Sequence, residues 1–256
     1  MGNLIHMDLY RMRKSRAFWV CLILALVLPI ARPGVENLLI MVARMLSDEV
    51  PAVSDAVNLS GLISNALPIV NGMLCMISLS IFFYADIEFG YVKNIAGQMP
   101  KKGYTVLSKF ISAILHNLIF MLAGVAGNIV GILIFQKLAV DSGIMDALRI
   151  FLLRFVLLQS LTSLLLLATT GVQSKSLGTV LVVVLGMGVM GLIYAGLDTA
   201  VDAVWKNKGF YIGDYMPDQM LGENAPETLR SLVSAAVTTL IFLPLTIRVF
   251  DRRDVK

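Results

Sequence analysis

The chain has 256 residues, 57% of them hydrophobic and 15% charged, with a mean hydropathy of +0.81 and a net charge of +4. A water-soluble domain is typically about one quarter charged, so this composition leaves too little polar surface for a soluble fold. The positive charge follows membrane topology rather than nucleic-acid binding, because it is segregated among the ends of apolar segments.

The basic N-terminus comes first. Residues 3–15 place Leu4, Ile5, Leu9 and Met12 near helical spacing, with Arg11, Arg13 and Lys14 among them. This pattern predicts an interfacial helix lying on a membrane surface, or else the ordinary positive flank of the first span. Six apolar segments follow, at 17–31, 62–84, 106–135, 147–172, 177–197 and 229–250. Backbone groups in lipid must pair within their own segment, so each is expected to be a helix. A β-barrel would need alternating stretches of about 10 residues, and runs such as LIFMLAGVAGNIVGILIF do not alternate. The first segment contains Pro29 and lacks a small-residue cleavage site, so it reads as a span rather than a removable signal. The stretch VENLLIMVARML, after Arg32, extends the first helix or forms a helix on the outer surface.

Orientation follows the lysines and arginines. With the N-terminus in the cytoplasm, 13 bases fall inside and 7 outside, with Arg154 within a span; 12 of the 17 acids fall outside. Six spans return the C-terminus to the cytoplasm.

Several motifs have a functional and a structural reading. Gly186, Gly188 and Gly191 spell GxGxxG, but a dinucleotide site needs a strand before it. Within an apolar span these glycines read as close helix packing, as do Gly127 and Gly131 in GxxxG spacing. Cys21 and Cys75 lie in apolar runs and read as small buried hydrophobes rather than a disulfide. The sequence contains no GxxxxGK[ST], GxSxG or HExxH, and only His6 and His116 as histidines. No catalytic, cofactor or metal site is therefore expected. An intramembrane enzyme would need paired acids or histidines within the spans, and they are lacking. His116 with Asn117 marks either a polar pathway or an interhelical hydrogen bond. Arg154 either snorkels outward or faces protein or a wet cavity. The three are candidates for a translocation path or a subunit seam.

The loop YADIEFGYVKNIAGQMPKKGYTVLSKF between the second and third spans orders acid, glycine, a short helical stretch over 91–98, proline and lysine. The sequence Glu88, Gly90, Lys93, Asn94, Pro100, Tyr104, Lys109 resembles the signature loop of ABC-2 type exporter permeases. The ending Phe250-Asp251-Arg252-Arg253-Asp254-Val255 resembles the usual ending of that family, and the similarity extends over essentially the whole chain. Such loops often carry an arginine shortly after the proline, where Lys101 and Lys102 stand here.

The resemblance implies an all-α polytopic membrane protein with six transmembrane helices, of the type V ABC exporter kind, with an N-terminal interfacial helix and a cytoplasmic coupling helix. It implies a single transmembrane domain in the plasma membrane of a bacterium, and a dimer with a second copy or a related permease. It implies a separate cytoplasmic P-loop ATPase, which holds ATP and Mg, the permease itself being no enzyme. Asp86, Glu88, Gly90, Tyr91, Lys93 and Asn94 would make the contact with that ATPase. Permeases of this size resemble those that export, or confer immunity to, amphipathic and antimicrobial peptides. Export of drugs, lipids or ions, and a non-transporting scaffold or sensor, stand as alternatives.

Overall fold

The computed structural model describes residues 2–46, 56–58, 61–63, 69–88, 103–139, 143–172, 180, 182–184, 189–204, 211–223 and 227–252. Eight helices lie in these stretches: α1 (Gly2–Lys14), α2 (Arg16–Leu46), α3 (Ile69–Glu88), α4 (Gly103–Phe135), α5 (Ile144–Val172), α6 (Val189–Val204), α7 (Pro217–Gly222) and α8 (Thr228–Asp251). A 3-10 turn spans Gly213–Tyr215. Two three-residue strands, β1 (Ala56–Asn58) and β2 (Lys137–Ala139), pair in parallel.

Four helices are long and apolar enough to cross a bilayer: Arg16–Ala43, Gly103–Phe135, Ile144–Gly171 and Thr228–Asp251. They correspond to the first, third, fourth and sixth expected spans. The second expected span is represented by α3, whose apolar part is the shorter Val70–Ala85. Of the fifth, residues 177–179, 181 and 185–188 lie outside the described residues, and α6 covers its end.

α1 lies along the start of α4. Asp8 and Met12 are buried on this side, while Tyr10 faces outward. Ser15 breaks the helix, and the Trp19 indole donates to the Arg13 carbonyl at 2.8 Å, closing the end of α1.

α2 is one continuous helix of 31 residues, so the stretch after Arg32 extends the first span rather than forming a separate helix. Its two prolines, Pro29 and Pro33, each remove a backbone donor, leaving the carbonyl four residues back without its helical partner. Neighbours compensate. The Asn71 amide of α3 donates to the Ala25 carbonyl at 3.1 Å. The Pro29 carbonyl faces Gly131, where an added Cβ would stand 2.9 Å from it.

The interior combines large apolar side chains, such as Phe82, Phe120 and Leu165, with many small and polar residues, which let membrane helices approach closely. Along α4 the buried face runs Thr105, Ser108, Ser112, His116, Phe120, Gly124, Gly127 and Gly131, a three-to-four-residue spacing throughout. A Cβ at Gly127 would collide with the Leu26 carbonyl oxygen, and one at Gly131 would reach the Ile30 oxygen at 2.7 Å. These glycines therefore let the backbones of α2 and α4 touch, as their spacing predicts. α5 is the most enclosed of the four long helices. Its buried hydroxyls satisfy themselves on its own backbone: Ser160 on Leu157 at 2.7 Å, Thr162 on Leu158 at 3.0 Å and Thr170 on Leu166 at 2.6 Å. The large apolar side chains of α2 and α8, such as Leu38, Leu39, Leu240 and Ile241, point outward.

The helix directions follow from these contacts. Gly103, at the start of α4, meets Asp251, at the end of α8, and α1 packs nearby; this is the proximal end. At the distal end the Arg149 side chain donates to Thr228 at 2.6 Å, near the starts of both α5 and α8. Farther along, Leu157 packs with Ala235, and Phe250 lies beside Leu166. Thus α5 and α8 run parallel, and the chain between them must travel back from the proximal to the distal end.

Candidate functional site

Three groups of polar residues stand along the bundle. The first is at its centre. His116 and Asn117 are both fully buried on α4. His116 Nε2 lies 3.0 Å from the Ser78 hydroxyl, and Nδ1 lies 3.6 Å from Cys75 Sγ. The imidazole stacks on Phe120 at 4.4 Å between ring centroids and meets the edge of Phe18 at 5.5 Å. The Asn117 amide donates to Gln159 at 2.8 Å and to Thr162 at 3.0 Å, while its oxygen accepts from the Cys75 thiol at 3.2 Å. Gln159 in turn donates to the Phe110 carbonyl at 3.2 Å. Ser78 and Cys75 are on α3, Gln159 and Thr162 on α5. The network therefore joins three helices through satisfied interhelical bonds. Cys21 and Cys75 are both free and buried.

The second group is distal. Arg154 is 1% exposed and is the largest fully buried side chain among the described residues. Its guanidinium donates to the Glu223 carbonyl at 2.8 Å. Glu223 follows α7, so the cation sits at the negative end of that short helix. The Glu223 carboxylate accepts from Arg230 at 2.5 Å. Met220 of α7 is fully buried against Leu157 and Ala235. Leu157 is thirteen residues into α5, roughly 20 Å at 1.5 Å per residue. α7 therefore reaches into the bundle, while Tyr211 and Tyr215 before it stay exposed. Asp198 of α6 holds the start of the segment 211–223, accepting from the Ile212 and Gly213 amides at 2.6 and 3.2 Å, and the Ser234 hydroxyl donates to the Tyr215 carbonyl at 2.6 Å. Gly191, the described glycine of the GxGxxG run, makes room for Gln219, whose side-chain oxygen would stand 3.0 Å from an added Cβ.

The third group is proximal, around the loop singled out by sequence. Gly90, Tyr91, Lys93 and Asn94 lie outside the described residues. Asp86 belongs to the last turns of α3, and Glu88 ends it with an exposed side chain. The flanks of the loop are fixed. Lys109 is 7% exposed, and its ammonium donates to the Phe83 carbonyl at 3.2 Å, tying α4 to α3. The Ser108 hydroxyl donates to buried Asp8 at 2.6 Å, tying α4 to α1. The Gly103 amide donates to Asp251 at 2.8 Å, tying α4 to α8. Sequence reasoning placed Lys109, Asp8 and Asp251 among the charged flanks of spans, and missed that each is a contact between helices. The serine at 108, at helical spacing from Ser112 and His116, was the available signal.

The structure thus brings His116 and Asn117 together and places Arg154 apart from them, toward the distal end. Among the described residues no group of three or more His, Cys, Asp or Glu side chains is arranged to hold a metal ion. No protein-family model matches the chain, and no curated protein matches it either. The fold and composition define a membrane-embedded helical protein.

Proposed function

We propose that this chain is the permease subunit of an ATP-binding cassette exporter of the ABC-2 kind, which moves an amphipathic or antimicrobial peptide out of the cell. The observation that carries the reading is the loop at 89–102. Its residues resemble the coupling segment of that family, and the helix that follows it, α4, is tied by Lys109, Ser108 and Gly103 to α3, α1 and α8.

On this reading the chain crosses the membrane six times. α2 to α5 account for four crossings, residues 173–204 for the return, and α8 for the last. Both termini are cytoplasmic, the proximal end faces the ATPase, and the segment 211–223 closes the outer side. A second copy or a related permease completes the pathway. ATP and Mg reside on the partner ATPase, which seats the loop with Asp86 and Glu88 toward its basic groups. The acidic outer side, with 12 acids against 7 bases, favours outward movement of a cationic peptide.

The test is reconstitution with the ATPase in vesicles, following ATP-driven peptide transport. Glu88→Ala and Gly90→Val are expected to reduce transport while the protein still inserts. Wild-type transport and wild-type peptide-stimulated ATP hydrolysis in both variants would refute the assignment. Efflux of a dye, drug or ion without peptide transport would refute the peptide and leave the permease.

A further inference from the structure

The first seven residues of α4, from Gly103 to Lys109, gather contacts from α1, α3 and α8. The contact with α8 is the most demanding. The first amides of a helix have no partner within it. Here the Gly103 amide is taken by a carboxylate 148 residues later in the chain, at 2.8 Å. A negative group is favoured at this end of a helix, and a hydrogen bond to a charged acceptor is stronger than one between neutral groups. The approach is close: a Cβ on Gly103 would stand 2.7 Å from Ile247 Cγ2 and 3.4 Å from both Asp251 carboxylate oxygens. One residue before Asp251, Phe250 lines a small crevice together with Phe83, Val106, Lys109 and Leu166. The end of α8 therefore borders a crevice that it shares with α3, α4 and α5.

We propose that Asp251 is a positioning residue that couples the loop 89–102 to the last helix. Its carboxylate holds the first amide of α4, so that a displacement of the loop moves α8 together with α4. This rests on the permease reading above. Without the clasp, the first turn of α4 would be solvated, would fray, and would absorb the displacement before it reached the bundle. With it, the loop acts on two helices that both pack against α5. The ending Phe250-Asp251-Arg252-Arg253 then has a mechanical role as well as a topological one.

The clasp is tested by amide hydrogen exchange on the purified full-length chain. Asp251→Leu is expected to speed exchange at Gly103, and Asp251→Asn, which keeps an acceptor oxygen, to preserve most of the protection. Equal protection in Asp251→Leu and wild type would overturn the proposal whatever the protein transports. The coupling is tested in the reconstituted complex as peptide transported per ATP hydrolysed. Loss of one charge-assisted bond is expected to lower that ratio about tenfold in Asp251→Leu, with basal hydrolysis retained. Asp251→Asn is expected to recover most of the ratio. Gly103→Ala is expected to lower it too, and Ile247→Ala in the same chain to restore it by making room. If the wild-type complex couples hydrolysis to transport and both Asp251→Leu and Gly103→Ala couple equally well, the role of Asp251 falls and the permease stands. If the wild-type chain neither binds an ATPase nor transports, the permease reading falls and the proposal with it.

Discussion

Arg154 is the most enclosed charged side chain among the described residues, and a charge within a span is costly unless it is paired or reaches water. Its length would let it snorkel, but the side chain is enclosed and spends a donor on the Glu223 carbonyl. The arginine thereby fastens α7 to α5. Arg154→Leu is expected to release the segment 211–223, so that a cysteine placed at Asp218 is labelled several times faster by an impermeant thiol reagent; unchanged labelling would show that Met220 and Ser234 suffice. Asn117 sets a different balance. It makes three bonds, to Gln159, Thr162 and Cys75. Side-chain bonds between membrane helices average about 0.6 kcal/mol each, so Asn117→Leu is expected to cost about 2 kcal/mol of stability, read as a lower unfolding midpoint in detergent. The sequence marked both residues as polar within apolar spans. It did not reveal their partners, which come from helices 42 to 69 residues away.

The pairing of α2 with α4 shows what was and was not legible at the level of whole helices. GxxxG at Gly127 and Gly131 predicts backbone contact, and the contact exists. Gly127→Leu is expected to separate the helices and cost at least about 1–3 kcal/mol, since overpacking forces the backbone to move. A Gly127→Leu variant as stable as wild type would mean the two helices do not meet as described. The extension of α2 through Pro29 and Pro33 was left open by sequence, because proline normally interrupts a helix. Asn71, distant in the chain, compensates by donating to the Ala25 carbonyl that Pro29 leaves without its helical partner. Of the apolar run at 62–84, residues 61–63 are helical, 64–68 lie outside the described residues, and α3 covers the rest. Apolar composition reports lipid exposure, while helix starts depend on local caps and tertiary partners.

For the molecule as a whole, the parallel course of α5 and α8 requires a returning segment, and on the proposed reading the lysines and arginines turn the proximal end to the cytoplasm. Cysteines at Lys101 and Arg253 are expected to react only with reagents that enter the cytoplasm, and one at Asp218 with an impermeant reagent from outside. Labelling of Lys101 from outside would invert the topology. Embedding in a membrane was legible from composition, because no other solvent suits this much apolar surface. The proposed ATPase partner was not legible from composition or hydropathy; a resemblance of residue order around the loop 89–102 supplied it. The most direct measurement is therefore a photo-crosslinker placed at Lys93 in the native membrane, with the captured chain probed for ATP binding by a photoreactive nucleotide. The account predicts a single adduct with a nucleotide-binding cytoplasmic chain, lost in Gly90→Val. An exposed Lys93 that captures no nucleotide-binding chain, in membranes where the protein is inserted and folded, would contradict it.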